Sequence, residues 1–299
     1  MDNLKYLAGP MRLPFLVLTP ACVSLGLAAA VWRSVHIDLM DALLVLLGAL
    51  CLHIGVNALN EYYDFTSGLD FNTERTPFSG GSGTLPENPD KAPVALATGV
   101  ISLVVAVLIG LYFVHRRGLW LMPLGLLGIV IVVAYTGWIT KNVLLCLVAP
   151  GLGFGPLMVM GTDFCLSGNY SWTGFFVSLV PFFLVSDLLL LNQFPDAEAD
   201  SKVGRRHLVI TKGRSYSAVV YVIFLASAYL SIIVGYMLGY IPRAGFLGLG
   251  TILIAVPLSR GVLKYKDDIK RLLPYMGMNV IVNIATPILM AIGMVVWRG

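Results

Sequence analysis

Two stretches of the sequence combine carboxylates and amides at helical spacing. In the first, Asn57, Asn60 and Asp64 follow i, i+3, i+7 spacing, which places them on one face of a helix. Gly68 then permits a turn that brings Asp70 back toward Asp64. Carboxylate and amide oxygens suit Mg²⁺, which usually bridges protein carboxylates to the phosphates of a substrate. The stretch therefore predicts a magnesium and phosphate site.

The second stretch repeats this pattern. Asn192, Asp196 and Asp200 follow i, i+4, i+8 spacing, and Pro195 predicts a kink or a fresh helical turn near Asp196. Both stretches contain N-x-x-x-D, at 60/64 and 192/196, which suggests two related halves. Two facing acidic stripes repel each other unless cations and an anion lie between them. The pair therefore predicts a diphosphate held by about two Mg²⁺ ions.

A basic cluster follows the second stretch. Lys202, Arg205 and Arg206 come just after Asp200, and Gly204 lets the backbone turn to aim them. Guanidinium groups bind phosphate oxygens with two parallel hydrogen bonds, so the cluster is interpreted as diphosphate-binding. The alternative is that these acids and bases only mark helix ends at a membrane interface, where they pair in solvent.

The composition places these motifs in a membrane. Of the 299 residues, 58% are hydrophobic and 12% are charged, whereas soluble domains carry roughly 25% charged residues. This composition excludes a soluble enzyme, a nucleic-acid-binding module and a disordered chain. We therefore expect the protein to lie in a lipid bilayer and to have no nucleic-acid partner. The four cysteines lack C-x-x-C spacing, which argues against a disulfide framework or a zinc site.

Nine apolar segments are long enough to cross a bilayer. They predict an all-α integral membrane protein, with residues 1–299 forming one bundle of about nine transmembrane helices. The predicted spans are 13–32, 39–60, 94–114, 118–136, 142–161, 172–194, 215–240, 244–262 and 274–297.

The charges predict how this bundle is oriented. Fifteen of the 20 Lys and Arg residues fall on the N-terminal side of the nine spans, which predicts a cytoplasmic N-terminus. Arg116 and Arg117 are the main exception. The motif loops, 57–93 and 192–214, contain nine of the 16 acids and are expected to face the cytoplasm. In a prokaryote the membrane would be the cell membrane.

Together these motifs resemble those of the UbiA superfamily of intramembrane prenyltransferases. Members carry N-[DE]-x-x-D after the second helix and D-x-x-x-D after the sixth. Here the matching segments are Asn60-Glu61-Tyr62-Tyr63-Asp64, Asp196-Ala197-Glu198-Ala199-Asp200, Gly204-Arg205-Arg206, Arg12-Leu13-Pro14 and the run from Arg75 to Gly81. The segments GLD and NQFPDAEAD look most like the 1,4-dihydroxy-2-naphthoate prenyltransferase branch. This sequence departs from the family pattern at two positions. Glu61 stands where the family more commonly has Asp, and His207 stands where Thr is expected.

The resemblance implies Mg²⁺-dependent transfer of an isoprenoid chain from a polyprenyl diphosphate to a small aromatic acceptor, such as a quinone precursor. The tail would leave the pocket sideways into lipid. The implied catalytic residues are Asp64, Asp196 and Asp200. The implied metal ligands are Asn60, Asp64, Asp70, Asn192, Asp196 and Asp200. The implied diphosphate-binding residues are Arg75, Lys202, Arg205 and Arg206, and supporting roles are expected for Asn57, Glu61, Tyr63, Tyr135, Lys141 and Asp187.

Several alternatives remain open from the sequence. A UbiA-type terpene cyclase, or transfer to a non-aromatic acceptor, fits the same motifs. An ion or proton-coupled transporter would place acids near the middle of the bilayer, where only Asp187 is expected. Asp187 either binds a hydroxyl of the acceptor or pairs with a buried base. Lys141 either acts on the acceptor or anchors a cytoplasmic helix end.

Overall fold

The computed structural model describes residues 2–296, and side chains from residue 6 onward. Within this range every regular element is helical. The α-helices are α1 (Asp2–Met11), α2 (Leu18–Trp32), α3 (Leu39–Thr66), α4 (Thr84–Glu87), α5 (Ala92–Arg117), α6 (Met122–Ala134), α7 (Val143–Leu152), α8 (Gly161–Ser167), α9 (Trp172–Lys202), α10 (Leu208–Met237), α11 (Ile252–Tyr265) and α12 (Ile269–Val296). A π-helix, Gly153–Met160, joins α7 to α8.

Eight helical segments of the described chain are long and apolar enough to cross a membrane. They are Leu13–Trp32, Leu39–Thr66, Pro89–Arg117, Val143–Ser167, Trp172–Lys202, Leu208–Met237, Arg243–Tyr265 and Ile269–Val296. A shorter apolar helix, Leu119–Ala134, lies where the span 118–136 was predicted. The predicted class, an all-α membrane bundle, is confirmed. Residue 297, the predicted end of the last span, and Arg298 lie outside the described residues.

The largest difference from the predicted spans is at the two motifs. α3 continues to Thr66 and α9 continues through Pro195 to Lys202, so both N-x-x-x-D motifs lie on helices and not in loops. Proline removes one N–H from the helical ladder. The buried side chains of Leu191 and Phe194 hold this part of α9 in the core across that gap.

Close packing fixes α9 in the centre of the bundle. The segment from α7 into the π-helix approaches α9 so closely that only glycine fits at two positions. A Cβ at Gly151 would lie 2.1 Å from the Phe182 carbonyl oxygen, and one at Gly155 would lie 2.5 Å from the Ser178 carbonyl oxygen. Interiors packed this tightly hold their helices in one register. α9 therefore presents a fixed face to the rest of the bundle.

An ion cluster closes the end of the bundle opposite to the motifs. Asp41, which is fully buried on α3, lies 2.8 Å from Arg117 Nη2 and 3.2 Å from Arg116 Nε on α5. The Tyr112 hydroxyl also donates to Asp41, at 3.2 Å. These contacts give a physical reason for the Arg116–Arg117 exception in the charge pattern, because a buried carboxylate partly neutralises the two cations.

We expect Asp41→Ala to destabilise the fold. The substitution removes the buried carboxylate that both arginines share, and the cost should be about 2 kcal/mol because Arg116 also pairs with Asp38 and both arginines can still turn toward water. Thermal unfolding of the purified protein in detergent measures the loss. The control is Asp90→Ala, since Asp90 is exposed and paired only with its neighbour Lys91. Equal melting temperatures for the two variants would contradict this account.

Candidate active site at the motif end of the bundle

The ends of α3 and α9 meet at one cavity, and this end of the molecule is called the motif end below. The cavity has a volume of about 490 Å³. Each helix contributes one polar stripe to its lining. The stripes are Asn57, Asn60 and Asp64 from α3, and Asn192, Asp196 and Asp200 from α9. The structure thus brings together the two predicted sets of ligands.

Arg205 joins the two stripes. Its Nη1 donates to Asp200 Oδ1 at 2.9 Å, and its Nη2 pairs with Asp64 Oδ1. The other carboxylate oxygen of Asp200 lies 3.1 Å from His207 Nε2. Gly204, in the left-handed conformation with φ 79°, turns the chain after α9 so that Arg205 points back into the cavity. A cation of the chain itself therefore holds the two acidic helix ends together.

Asp70 returns to the motif end through the predicted turn. Gly68 has φ 79°, and the 3₁₀ turn Leu69–Phe71 follows it directly, which places Asp70 in the cavity lining. Burial raises the pKa of Asp70 to about 7, and the negative charges of Glu61 and Asp64 act in the same direction. Within the described residues, Asp70 Oδ2 has no hydrogen-bond partner.

The donor set fits a hard divalent cation. Buried carboxylate oxygens are nearly always partnered, yet Asp70 Oδ2 and Asp196 Oδ1 are both unpartnered among the described residues. In the described chain, however, no three His, Cys, Asp or Glu side chains are already arranged around one metal position. Arg205 lies between Asp64 and Asp200 instead. Oxygen ligands arriving from two sides suit Mg²⁺, which is usually shared with substrate phosphates.

Glu61 organises the surroundings of this site. It is fully buried, and its Oε1 accepts from Arg12 Nε and from the Ser82 N–H, both at 2.7 Å. Its Oε2 accepts from the Ser82 hydroxyl at 2.8 Å. Arg12 Nη2 also donates to Asn60 Oδ1 at 3.0 Å, and Asn57 Nδ2 donates to the Met11 carbonyl at 3.0 Å. These bonds fasten two chain segments, which are far apart in sequence, onto α3.

Several predicted residues lie away from the cavity lining. Tyr63, Lys141, Lys202 and Arg206 are exposed, and Arg75 pairs with Glu87 at 3.4 Å. The charge of Arg75 still lowers the pKa of Asp70 and so acts on the site from outside the lining. Tyr135 does line the cavity. Of the four predicted diphosphate-binding residues, Arg205 alone is in the lining.

Asp187 is fully buried on α9 but does not line the cavity. Neither of its carboxylate oxygens has a hydrogen-bond partner among the described residues. The described structure therefore shows no buried base paired with Asp187, and Asp187 lies outside the lining of the cavity in which an acceptor would bind.

Other residues of the lining were not assigned to the site from the sequence. They are Arg12, His53, Gln193, His207 and Asn283. For His53 the signal was present, since it lies four residues before Asn57 on the same helical face. For Arg12 and His207 the contacts with Glu61 and Asp200 depend on tertiary packing, which helical periodicity does not describe.

Comparison with known proteins gives a consistent result. The model of the UbiA prenyltransferase family matches residues 17–281. A 1,4-dihydroxy-2-naphthoate octaprenyltransferase from Bacillus subtilis (strain 168) is 29% identical over 217 residues, covering 71% of this chain and 67% of that protein.

Solved structures share the fold. A UbiA homolog from Aeropyrum pernix K1 superposes with a TM-score of 0.68 at 16% identity, covering 92% of this chain and 97% of that one. A UbiA homolog from Archaeoglobus fulgidus bound to DMAPP and Mg²⁺ gives a TM-score of 0.61 at 14% identity, covering 98% and 99%. At these identities, the structural likeness is a likeness of fold.

The raised pKa of Asp70 predicts how Mg²⁺ and pH act together. Its pKa is about 7 in the folded protein, against 3.8 for an aspartate carboxyl group in water. Between these values the folded state binds more protons than the unfolded state, so this group makes the metal-free protein less stable as pH rises. Mg²⁺ requires the ionised carboxylate. The rise in melting temperature caused by Mg²⁺ should therefore be larger at about pH 8 than at about pH 6.

Asp70→Asn is the control for this prediction. The amide does not titrate in this range, so the Mg²⁺ effect should depend less on pH in this variant than in the unmodified protein. Melting curves with and without Mg²⁺ at both pH values measure it. An identical pH dependence in Asp70→Asn would show that another group is responsible.

Proposed function

The chain belongs to the UbiA prenyltransferase family, and on that premise we propose that it transfers an isoprenoid chain from a polyprenyl diphosphate to an aromatic quinone precursor within the membrane. The observation that carries this proposal is the convergence of two N-x-x-x-D stripes on one cavity that continues into an apolar arm. The name of the Bacillus subtilis relative supports a naphthoate acceptor. The Archaeoglobus fulgidus homolog bound to DMAPP and Mg²⁺ supports the donor and the metal.

At the motif end, the residues of the chain hold and neutralise the diphosphate. Asp64, Asp70, Asp196 and Asp200 would hold Mg²⁺, with amide oxygens of Asn60 and Asn192 beside them. Mg²⁺ supplies stabilisation of the negative charge that develops on the leaving diphosphate. Arg12 and Arg205, which line the same cavity, provide cationic donors for the phosphate oxygens. The acids thus act through the metal, and the arginines act directly.

The apolar arm accommodates the prenyl chain and excludes water from the reacting carbon. Aliphatic side chains of α3, α5 and α6 line it. Leu111 on α5 and Leu126 on α6 line the arm, yet they are 55% and 57% exposed, so the arm is open to the bilayer between these helices. A tail can therefore leave sideways into lipid. Tyr135 offers an aromatic face to the allylic cation, which must be kept from water.

We further propose that the motif end faces the cytoplasm and that residues 1–299 form one domain. The support for the orientation is the excess of Lys and Arg on the side of the motifs, 15 of 20. Arg116 and Arg117, at the opposite end of the bundle, are the main exception to this excess. Their pairing with the buried Asp41 partly neutralises them and so weakens that exception.

The test of this function is a reconstituted transfer assay. The purified protein is incubated in lipid vesicles with labelled prenyl diphosphates, Mg²⁺ and acceptors that include 1,4-dihydroxy-2-naphthoate. We expect a labelled adduct and released diphosphate, both requiring Mg²⁺. Diphosphate without an adduct would favour a cyclase or a hydrolase, and an adduct formed only with non-aromatic acceptors would change the substrate class. No Mg²⁺-dependent consumption of any prenyl diphosphate would reject the proposal and revive a transport function.

The acidic residues predict a clear pattern of loss. Asp64→Ala, Asp196→Ala and Asp200→Ala should each lower transfer by a factor of about 100 to 1,000 or more, because each removes a proposed ligand of the Mg²⁺ that stabilises the leaving diphosphate. Asp90→Ala, at an exposed position outside the cavity, should transfer at the normal rate. Melting curves confirm that the variants are folded. Normal transfer by any folded variant of the first three would exclude that residue from metal binding.

The apolar arm predicts control of prenyl chain length. Gly128 on α6 lines the arm, as does Leu157 of the π-helix, and a Cβ at Gly128 would lie 3.9 Å from Leu157 Cδ1. Gly128→Phe should therefore narrow the arm and lower transfer of a long polyprenyl chain, relative to a short one, by about tenfold or more. The control, Leu127→Phe, places the same ring on the lipid-facing side of α6. Rates with short and long prenyl diphosphates measure the ratio, and equal ratios in the two variants would contradict the assignment of the arm.

A further inference from the structure

One imidazole in the cavity wall lies apart from the motif residues. His53 on α3 precedes Asn57 by four residues, Asn60 by seven and Asp64 by eleven, so it continues the polar stripe of α3 toward the middle of the bilayer. It lines the cavity and is only 6% exposed. The stripe that begins at the diphosphate end therefore has a polar group further along the same wall.

The ring of His53 is held in place on two sides. Its Nδ1 lies 2.8 Å from Thr19 Oγ1 on α2, and Thr19 is fully buried. Phe154 of the π-helix packs edge-on against the ring, with 4.8 Å between the ring centroids. Among the described residues, Nε2 has no hydrogen-bond partner. Two neighbouring elements thus orient the imidazole, and its second nitrogen remains available in a cavity-lining residue.

The depth of His53 matches the position of an acceptor ring. At 1.5 Å per residue, His53 lies about 10 Å along α3 from Asn60 and about 6 Å from Asn57. With the diphosphate held at Asn60 and Asp64, its reacting carbon lies next along the wall, and the acceptor must lie beside that carbon. A fused aromatic ring system is longer than one helical turn of about 5.4 Å. The edge of the ring away from the diphosphate therefore lies on the side of the cavity toward His53.

The prenyl tail is a poorer match for this nitrogen. An aliphatic chain offers no hydrogen bond, and a buried polar group facing hydrocarbon is destabilising. A hydroxyl on an aromatic ring satisfies Nε2, whichever tautomer Thr19 imposes, because a hydroxyl can both donate and accept. The chemistry of the wall therefore favours a hydroxylated aromatic acceptor at this depth.

We propose that His53 binds the acceptor, through a hydrogen bond between its Nε2 and a ring hydroxyl at the edge of the acceptor away from the diphosphate. This inference rests on the proposed function, which it deepens by assigning a residue and a substituent. Thr19 is then a positioning residue, since it touches the imidazole and not the substrate.

The experiment combines protein variants with acceptor analogues. His53→Phe keeps a ring against Phe154 and removes the nitrogens. With 1,4-dihydroxy-2-naphthoate as the acceptor, we expect its KM to rise about tenfold while the KM for the prenyl diphosphate changes less than about twofold. In the unmodified protein, an analogue that lacks the bound hydroxyl, either 1-hydroxy-2-naphthoate or 4-hydroxy-2-naphthoate, should show a similar rise. In His53→Phe the same analogue should show no additional rise, because the interaction is already absent.

A second variant keeps the test informative if His53→Phe does not fold. Thr19→Val retains Nε2 but releases the ring, so it should raise the KM for the acceptor by a smaller factor and leave the KM for the prenyl diphosphate unchanged. An unchanged KM for the acceptor in folded His53→Phe, or equal rises for both substrates, would overturn the inference. An additional rise in the KM of the analogue in His53→Phe would also overturn it. In those cases the adduct formed by the unmodified protein would still support the proposed function, whereas failure of the unmodified protein to form any adduct would remove both.

Discussion

The contact on which the motif end depends is the bridge from Arg205 to Asp64 and Asp200. Only 12% of the residues are charged, and here acids from α3 and α9 face each other across one cavity. Their mutual repulsion would separate the two helix ends if no cation lay between them. Arg205 supplies that cation for one carboxylate of each helix. Asp70 and Asp196 each retain an unpartnered oxygen in the described structure, and these oxygens are where the proposed metal would bind.

The rest of the fold holds the two acidic stripes at a fixed position next to the aliphatic arm of the cavity. Close packing of α7 and the π-helix against α9, through Gly151 and Gly155, fixes the position of the acidic stripe of α9 along the bundle. The bonds from Glu61 to Arg12 and Ser82 fix the other. The cavity passes from these stripes into an aliphatic arm, so the charged and apolar parts of one amphipathic substrate meet complementary surfaces in the right order. A long isoprenoid diphosphate has this same division.

Local periodicity predicted much of this arrangement. The spacing of Asn57, Asn60 and Asp64 was sufficient to place them on one face, and Gly68 was sufficient to predict the return of Asp70. Hydropathy ended both motif helices too early, because apolar character stops where the acids begin, while the backbone remains helical. The sequence could not show which basic residue after Asp200 lines the cavity. In the structure Arg205 does so, directly after the left-handed turn at Gly204, whereas Arg206 does not. Partners such as Arg12 and Glu61, 49 residues apart, are set by tertiary packing.

The exposed cavity wall on α5 and α6 has a consequence for what counts as the binding site. Since Leu111 and Leu126 contribute to the cavity wall and are also exposed, surrounding lipid completes the enclosure that protein alone leaves open. The part of a long chain beyond this opening is solvated by acyl chains, and its free energy is much the same before and after binding. Affinity for the proposed polyprenyl substrate would then be determined by its diphosphate and the isoprene units inside the cavity, and bilayer composition would contribute to the binding free energy.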